Sequence, residues 1–141
     1  MAEYTNAALQ TVATGQNVLF AETPVPCNKG YVQHREGSGL FTLRGCTNQC
    51  NARYKVSFGG NIAVPTGGTV GAISLAISIE GEALPSATMI VTPAAAGDLF
   101  NVFAAVYIAV PRGCCMTLSV RNVSDQPVDV QNANIIFERT A

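Results

Sequence analysis

The sequence predicts an all-β protein, folded as an antiparallel sandwich or barrel. In most segments apolar residues alternate with polar or small ones at a period of two, which is the period of a β-strand. Gly, Pro and Asn separate these segments at intervals of roughly ten residues, as in sandwiches and barrels. A helical period is not convincing anywhere beyond residues 94–98, where one helical turn is the alternative to a loop.

The strands are justified by alternation within each segment and by turn residues between segments. In the fourth segment Tyr54, Val56 and Phe58 share one face, and in the fifth the aliphatic side chains from Ile73 to Ile79 share one face. We expect strands over residues 16–20, 31–35, 40–43, 51–64, 70–80, 86–92, 99–110, 114–122 and 128–138.

Three of these strands carry further signals. Gly59-Gly60 in the middle of a strand predicts a bulge or a close approach of backbones. In the last strand the apolar residues occupy even-numbered positions before Gln131-Asn132 and odd-numbered positions after it. This shift in alternation predicts a bulge there. Residues 99–110 are apolar in both phases, which predicts a strand buried on both sides.

Composition indicates one domain with an unusually uncharged surface. The chain has 141 residues, of which 48% are hydrophobic and 12% charged, against about 25% charged in an average soluble domain. With 8 basic and 9 acidic residues the net charge is -1, which argues against nucleic-acid binding by phosphate neutralisation. The weakly patterned residues 1–15 predict an N-terminal arm, followed by a single domain over residues 16–141.

Targeting signals are weak. The segment from Met1 to Asn6 has no basic residue and no long apolar run, so we expect no secretory signal. We also expect no membrane span, because the longest apolar run, residues 103–110, suits a buried strand instead. The sequence therefore predicts synthesis in the cytoplasm.

The sequence has few residues suited to catalysis or to metal binding. His34 is the single histidine, which argues against a cupin-type metal centre and against histidine-dependent hydrolase sites, so we expect a non-enzyme with no cofactor. We expect His34 on an exposed strand edge. A zinc site formed by Cys27, Cys46, Cys50 and His34 is one alternative to reduced thiols, although the spacing is poor, and a Cys46–Cys50 disulfide is another.

Two segments resemble the C1q/TNF-like jelly-roll family. Residues 51–84 contain ARYKVSFGGNIAVPTGGTVGAISLAISIEGEAL, which is similar to the family's aromatic-rich strand, its aliphatic strand and the Glu-Gly turn that follows. FNVFAAVYIAVPRGCCMTLSVRNVS is similar to the family's Val-Pro-x-Gly-Asp segment, with Cys114 in place of the Asp. The resemblance covers about two-thirds of the chain. It implies a jelly roll of about eight to ten strands that trimerises through an apolar face.

The same resemblance suggests a structural role. Phage virion proteins and the C-terminal domains of exosporium collagen-like glycoproteins look similar, but this chain has no Gly-X-Y stalk. We therefore expect a homotrimeric virion component, either a capsid decoration or cement protein or a head-fibre protein, with the major capsid protein or other virion proteins as partners. Expected interface residues are Phe103, Ala105, Tyr107, Ala72, Ser74 and Ala76, and expected attachment residues on the arm are Tyr4, Leu9 and Val12.

The alternative hypothesis is a module that binds a host glycan or receptor on a virion, bacterial or spore surface. Jelly rolls also serve as lectins, and binding sites concentrate on loops. The absence of Trp leaves few platforms for stacking on sugar. Candidate contact residues are Asn28, Lys29, Asn48, Gln49, Asn61 and Asp98.

Overall fold

Alternating side chains form eleven β-strands in the computed structural model, which describes residues 1–27 and 29–140. No helix occurs among those residues, and residues 94–98 form a loop. The strands are β1 (Ala2–Asn6), β2 (Gln10–Val12), β3 (Glu22–Val25), β4 (Val32–His34), β5 (Phe41–Arg44), β6 (Asn51–Ala63), β7 (Ile73–Ile79), β8 (Glu82–Val91), β9 (Phe100–Pro111), β10 (Cys115–Asn122) and β11 (Val128–Arg139).

The strands form two antiparallel sheets that face each other. The first sheet has the order β3-β1-β11-β6-β9, with β2 also paired to β11, and the second has the order β4-β5-β10-β7-β8. The prediction of an all-β antiparallel sandwich is confirmed. The turn between β7 and β8 has positive φ at both Glu80 (52°) and Gly81 (83°), as expected for a tight hairpin that follows the strand twist.

An aromatic cluster fills the space between the sheets. Phe20, Phe41, Phe58 and Phe137 are all buried, and Tyr4 packs against two of them. The ring centroids of Phe20 and Phe41 are 5.3 Å apart at an interplanar angle of 63°, a favourable edge-on arrangement. Aliphatic side chains from both sheets extend this core.

The bulge predicted in the last strand is confirmed. The pairing of β11 with β6 shifts between Gln131 and Asn134, and Asn132 has a φ of 56°. Gly60 lies opposite the shift, where an added Cβ would be 3.4 Å from the Cα of Ala133. Gly60 therefore marks a close backbone approach, whereas a Cβ on Gly59 would meet the side chain of Asn134 at 3.1 Å. The bulge itself belongs to β11.

The prediction of an N-terminal arm is wrong. β1 pairs with β11 from Ala2 to Asn6, β2 pairs with it from Gln10 to Val12, and Tyr4 and Val12 are buried in the core. Leu9, which is 57% exposed, lies between these strands. Residues 1–15 are thus part of the domain, and the signal was weak because strands of three to five residues show too little alternation.

The first predicted strand, residues 16–20, is not a regular strand. Its backbone follows β10, with hydrogen bonds from Val18 N–H to the Val120 carbonyl (2.8 Å) and from Asn122 N–H to the Gln16 carbonyl (2.9 Å). The segment forms one isolated antiparallel β-bridge, between Asn17 and Arg121, instead of a continuous strand ladder. The segment thus completes the hydrogen bonding of β10 beyond the end of β5.

A candidate self-association face

The strand predicted to be buried on both sides lies at the edge of a sheet. β9 pairs with β6 along its whole length, from Phe100 to Pro111, and no described strand pairs with its other edge. Its inward side chains, including Val110, are in the core, but Phe103 is 65% and Tyr107 71% exposed. Within one chain the prediction of two buried sides is therefore wrong, and the second apolar side of β9 faces outward.

Small residues beside β9 make this outer surface flat. Gly59 of β6 lies opposite Phe103, and Ser57 lies opposite Ala105. Ile136 of β11 lies on the far side of Ser57, and directly opposed residues in antiparallel strands point to the same face. We call this surface the β9 face; its residues are Phe103, Ala105, Tyr107, Ser57, Gly59 and Ile136.

Polar groups bound the β9 face at both ends. At one end the side-chain amide of Asn101 donates to Oδ1 of Asn61 (3.2 Å), and that of Asn61 donates to Oδ1 of Asn132 (3.3 Å). At the other end Lys55 lies between Tyr107 and Glu138 in the strand register. An apolar centre with a polar rim is the usual anatomy of a protein–protein interface.

The structure divides the six predicted interface residues between two sheets. Phe103, Ala105 and Tyr107 lie together on the β9 face, whereas Ser74 and Ala76 belong to β7 in the second sheet and Ala72 directly precedes it. Ala76 is fully buried between Arg121 of β10 and Thr88 of β8, its partners in the strand register. Ala76 is therefore unavailable to a second subunit, whereas Ala72 is exposed and Ser74 is half-buried.

Sequence reasoning missed the part of the β9 face contributed by β6 and β11. Ser57 and Gly59 alternate with buried aromatic residues, which identifies them as outward-facing but gives no sign of which strand lies beside them. Ile136 is an outward apolar residue between the buried Ile135 and Phe137. That local break in polar alternation was the one available signal.

The polar residues considered for glycan binding do not form one site. Lys29, Asn48 and Gln49 lie at the end of the sandwich where β6 begins, whereas Asp98 lies beyond the end of β6 and Asn61 is within β6 itself. β6 has 13 residues, so the two groups are about 40 Å apart at the usual rise per residue. Asn28 is outside the described residues.

His34 packs against the aromatic core and lies within hydrogen-bonding distance of the backbone. It ends β4, an edge strand as predicted, but its side chain is partly buried, and its Nε2 lies 2.8 Å from the carbonyl oxygen of Ser38. Its ring stacks on Phe41, with centroids 4.4 Å apart at 16°. Across residues 1–27 and 29–140, no cluster of three or more His, Cys, Asp or Glu side chains is arranged to hold a metal ion.

Backbone groups surround one thiol of the chain. Burial of Cys27 raises its pKa. Hydrogen bonds from the backbone N–H groups of Val32, Lys29 and Tyr31, together with the charge of the N-terminal amine, lower it, and the net pKa lies below the ordinary 9.0.

Nothing in the described part of the chain resembles a helix that could span a membrane.

The arrangement of the two sheets matches known structures. No family model and no curated protein matches the chain. Among solved structures, Eiger TNF from S. frugiperda superposes with a TM-score of 0.71 at 15% identity, over 99% of this chain and 91% of that chain. The chain has a C1q/TNF-like jelly-roll fold.

Two further C1q/TNF-like jelly rolls agree with this assignment. Murine APRIL superposes with a TM-score of 0.67 at 10% identity, over 99% of this chain and 97% of that one. The globular domain of zebrafish complement 1qA protein superposes with a TM-score of 0.64 at 11% identity, over 96% and 94% of the two chains. The C1q/TNF-like fold inferred from the strand motifs is thus confirmed, although these identities establish the fold alone.

Proposed function

We propose that this protein is a non-enzymatic structural protein that forms a homotrimer through the β9 face. The observation that supports the proposal is the exposure of Phe103 and Tyr107, at 65% and 71%, on a 12-residue edge strand. A long, exposed, apolar edge strand is an aggregation site unless something covers it. Further copies of the same chain supply that cover.

A closed ring suits this geometry. An interface between two different surfaces of the same protein either closes into a ring or propagates into a fibre. The resemblance of the strand motifs to C1q/TNF-like proteins implies a three-fold axis. Closure at three copies covers every β9 face, and no copy remains to recruit another subunit.

The proposed setting is a phage virion, where the trimer acts as a capsid decoration or cement protein or as part of a head fibre. The low charge of the chain, 12% of residues, supports a role in which much of the surface is shared with neighbouring subunits. Because β1 and β2 pair with β11 inside the domain, attachment to the major capsid protein uses the folded trimer rather than a free arm. The trimer is made in the cytoplasm and assembled into the particle.

Sedimentation velocity at micromolar concentration tests the trimer. We expect a species of three times the 14.7 kDa chain mass, and conversion to monomer in the double variant Phe103→Asp/Tyr107→Asp. The matched control is Val70→Asp, an exposed apolar residue in the loop before β7, which should remain trimeric. A monomeric wild-type protein, or a double variant that is still trimeric, would contradict the proposal.

The virion role has its own test. In the genome that encodes this chain we expect capsid and portal genes beside it, and we expect the purified protein to co-sediment with particles assembled from the neighbouring capsid protein. Neighbouring genes for metabolic enzymes, or no co-sedimentation, would count against a virion role without affecting the trimer. Retention on a glycan array would instead favour the surface-recognition alternative.

A further inference from the structure

A cleft opens on the outer surface of the second sheet, away from the core. Its floor is β10, where Thr117, Ser119 and Arg121 alternate with fully buried residues and therefore point outward. The turn between β7 and β8 lines one side, and residues 15–17 line the other. The cleft has a volume of about 300 Å³, at the lower end of the range for small-molecule sites, about 300–1,000 Å³.

Three hydrogen bonds fix the turn between β7 and β8 against β10. The N–H of Glu80 donates to the carbonyl oxygen of Thr117 (2.8 Å), and the N–H of Thr117 donates to Oε1 of Glu80 (2.8 Å). Nη1 of Arg121 donates to the carbonyl oxygen of Gly81 (2.7 Å). A carboxylate and a guanidinium are thus held in the cleft in advance, which lowers the ordering cost of binding a ligand.

The opposite side of the cleft adds an amide and an apolar surface. Asn17 forms the antiparallel bridge with Arg121, and directly opposed residues on neighbouring strands point to the same face. Leu40, which is 50% exposed, also lines the cleft. A ligand here would therefore meet polar groups on both sides and one aliphatic side chain.

Ser119 brings to the floor of the cleft a hydroxyl that the protein does not use. The residue is only 5% exposed and lines the cleft, yet among residues 1–27 and 29–140 its hydroxyl makes no hydrogen bond. Ser78, its partner in the strand register, differs, because its hydroxyl lies 3.4 Å from the carbonyl oxygen of Ala76. A polar group at this depth without a partner costs free energy, and a ligand in the cleft would supply the partner.

The charges of the cleft favour a neutral ligand that carries several hydroxyl groups. The carboxylate of Glu80 would repel an anion, and the guanidinium of Arg121 would repel a cation. A hydroxyl group both donates and accepts hydrogen bonds, so neighbouring hydroxyls on one ligand can donate to Glu80 and accept from Arg121. A sugar ring carries hydroxyls at this density and has apolar C–H groups for Leu40.

We propose that this cleft binds one sugar ring, either a free monosaccharide or the end residue of a glycan. The carboxylate of Glu80 accepts from sugar hydroxyls, Arg121 and Asn17 donate to them, and Ser119 does either. None of the residues considered above for glycan binding lines the cleft. The cleft is on the second sheet and the β9 face is on the first, so this inference does not rest on the trimer.

NMR spectra of the ¹⁵N-labelled full chain test the proposal. The chain is titrated with glucose, galactose, mannose and N-acetylglucosamine, each to about 100 mM, well above the dissociation constant of about 1–10 mM expected for so small a ligand. We expect at least one sugar to shift the amide signals of Gly15, Gly81 and Ser119 saturably. Sodium acetate, titrated in the same way, should not.

Two conservative variants locate the binding site. Ser119→Ala should weaken binding of that sugar about fivefold through loss of one hydrogen bond, and Glu80→Gln about tenfold, because bonds to a charged group are stronger. The matched control is Ser86→Ala, an exposed serine of β8 outside the cleft, which should bind as the wild type does. The spectrum of each variant also shows whether it is folded.

The source of the ligand is read from the methyl glycosides of the sugar that binds. Retained binding of a methyl glycoside identifies the end of a glycan, and loss of binding identifies a free sugar. Saturable shifts with none of the four sugars, shifts with acetate alone, or an unchanged affinity in folded Ser119→Ala and Glu80→Gln would overturn the proposal. The oligomeric state enters none of these outcomes, so this inference and the proposed function fail separately.

Discussion

The buried side-chain amide of Asn122 donates a hydrogen bond of 2.9 Å to the carbonyl oxygen of Val12, 110 residues earlier in the chain. The same amide donates to the carbonyl oxygen of Gln126 (2.9 Å), and its oxygen accepts hydrogen bonds from the backbone N–H and the hydroxyl of Ser124. All its hydrogen-bonding capacity is used within the protein. Asn122 thus joins the end of β10 to β2 and to the turn that leads into β11.

Replacement of Asn122 by Ala should lower the free energy of unfolding by about 3 kcal/mol, because polar groups of Val12, Ser124 and Gln126 lose their partner. Urea unfolding at matched protein concentration measures the loss. The control is Asn48→Ala in an exposed loop, which should change stability by less than about 0.5 kcal/mol. Equal effects of the two substitutions would show that the Asn122 network contributes little.

Gly45 should tolerate no side chain. In Gly45→Ala the new Cβ would meet the carbonyl oxygen of Pro111 at 2.2 Å, so the connection after β5 must move away from the end of β9. We expect a loss of about 3 kcal/mol, near the upper end for single substitutions, measured by urea unfolding. Gly71→Ala is the matched control, because a Cβ there has no neighbour within 4 Å; a wild-type-like Gly45→Ala would contradict the observed packing.

The thiol of Cys27 should react at a lower pH in the folded protein than in the unfolded chain. The backbone N–H groups of Val32, Lys29 and Tyr31 lower its pKa despite partial burial, so the reactive thiolate forms at lower pH when these groups are in place. The measurement is the pH midpoint of iodoacetamide labelling, read from the tryptic peptide that contains Cys27. The same peptide labelled in urea is the control, and an equal or higher midpoint in the folded protein would contradict this prediction.

Stability should fall at alkaline pH because of two buried tyrosines. Burial raises the pKa of Tyr4, as does the nearby Cys27, and burial raises that of Tyr54 despite the opposing charge of Arg139. Below pH 10.0, the ordinary tyrosine value, both phenols are protonated in the folded and unfolded chains, and their contribution is fully present. Above it the unfolded chain loses its protons first, so the free energy of unfolding decreases.

Urea midpoints at pH 8, 10 and 11 measure this dependence. The double variant Tyr4→Phe/Tyr54→Phe should show a shallower decrease above pH 10, and its midpoint at pH 8 reports the pH-independent cost of losing the hydroxyls. The Tyr54 hydroxyl lies 3.1 Å from the carbonyl oxygen of Tyr31, so some cost at pH 8 is expected. Parallel curves for the variant and the wild type would assign the alkaline loss to other groups.

Alternation predicted the long strands well because each displays several inward residues. The Gln131-Asn132 bulge was visible because the buried phase changes from Val128 and Val130 to Ala133. The same signal failed at β1 and β2, which are too short to show a period. It also could not place β9, because an apolar residue such as Phe103 has the same identity whether a neighbouring strand, another subunit or water faces it.

Only the part of the β9 face that lies on β9 itself could be predicted from the sequence, for the same reason. The outward aromatic residues Phe103 and Tyr107 were identified from one strand. Their companions Ser57 and Ile136 required the pairing of β9 with β6 and of β6 with β11, and pairing between distant segments is not encoded in local periodicity. The full burial of Ala76 within one chain was not visible from its row of small residues, because burial depends on the strands that lie beside it.

The position of β11 sets the order of events during synthesis. It lies between β1 and β6, and β2 also pairs with it, so β1 and β2 cannot join β6 in one sheet until β11 has been synthesised. A nascent chain that stops before Val128 leaves this sheet in three unjoined parts, namely β3-β1, β6-β9 and β2. Strands β1 and β2 are therefore among the last of these eleven strands to find all their neighbours, although they precede the other nine in the sequence.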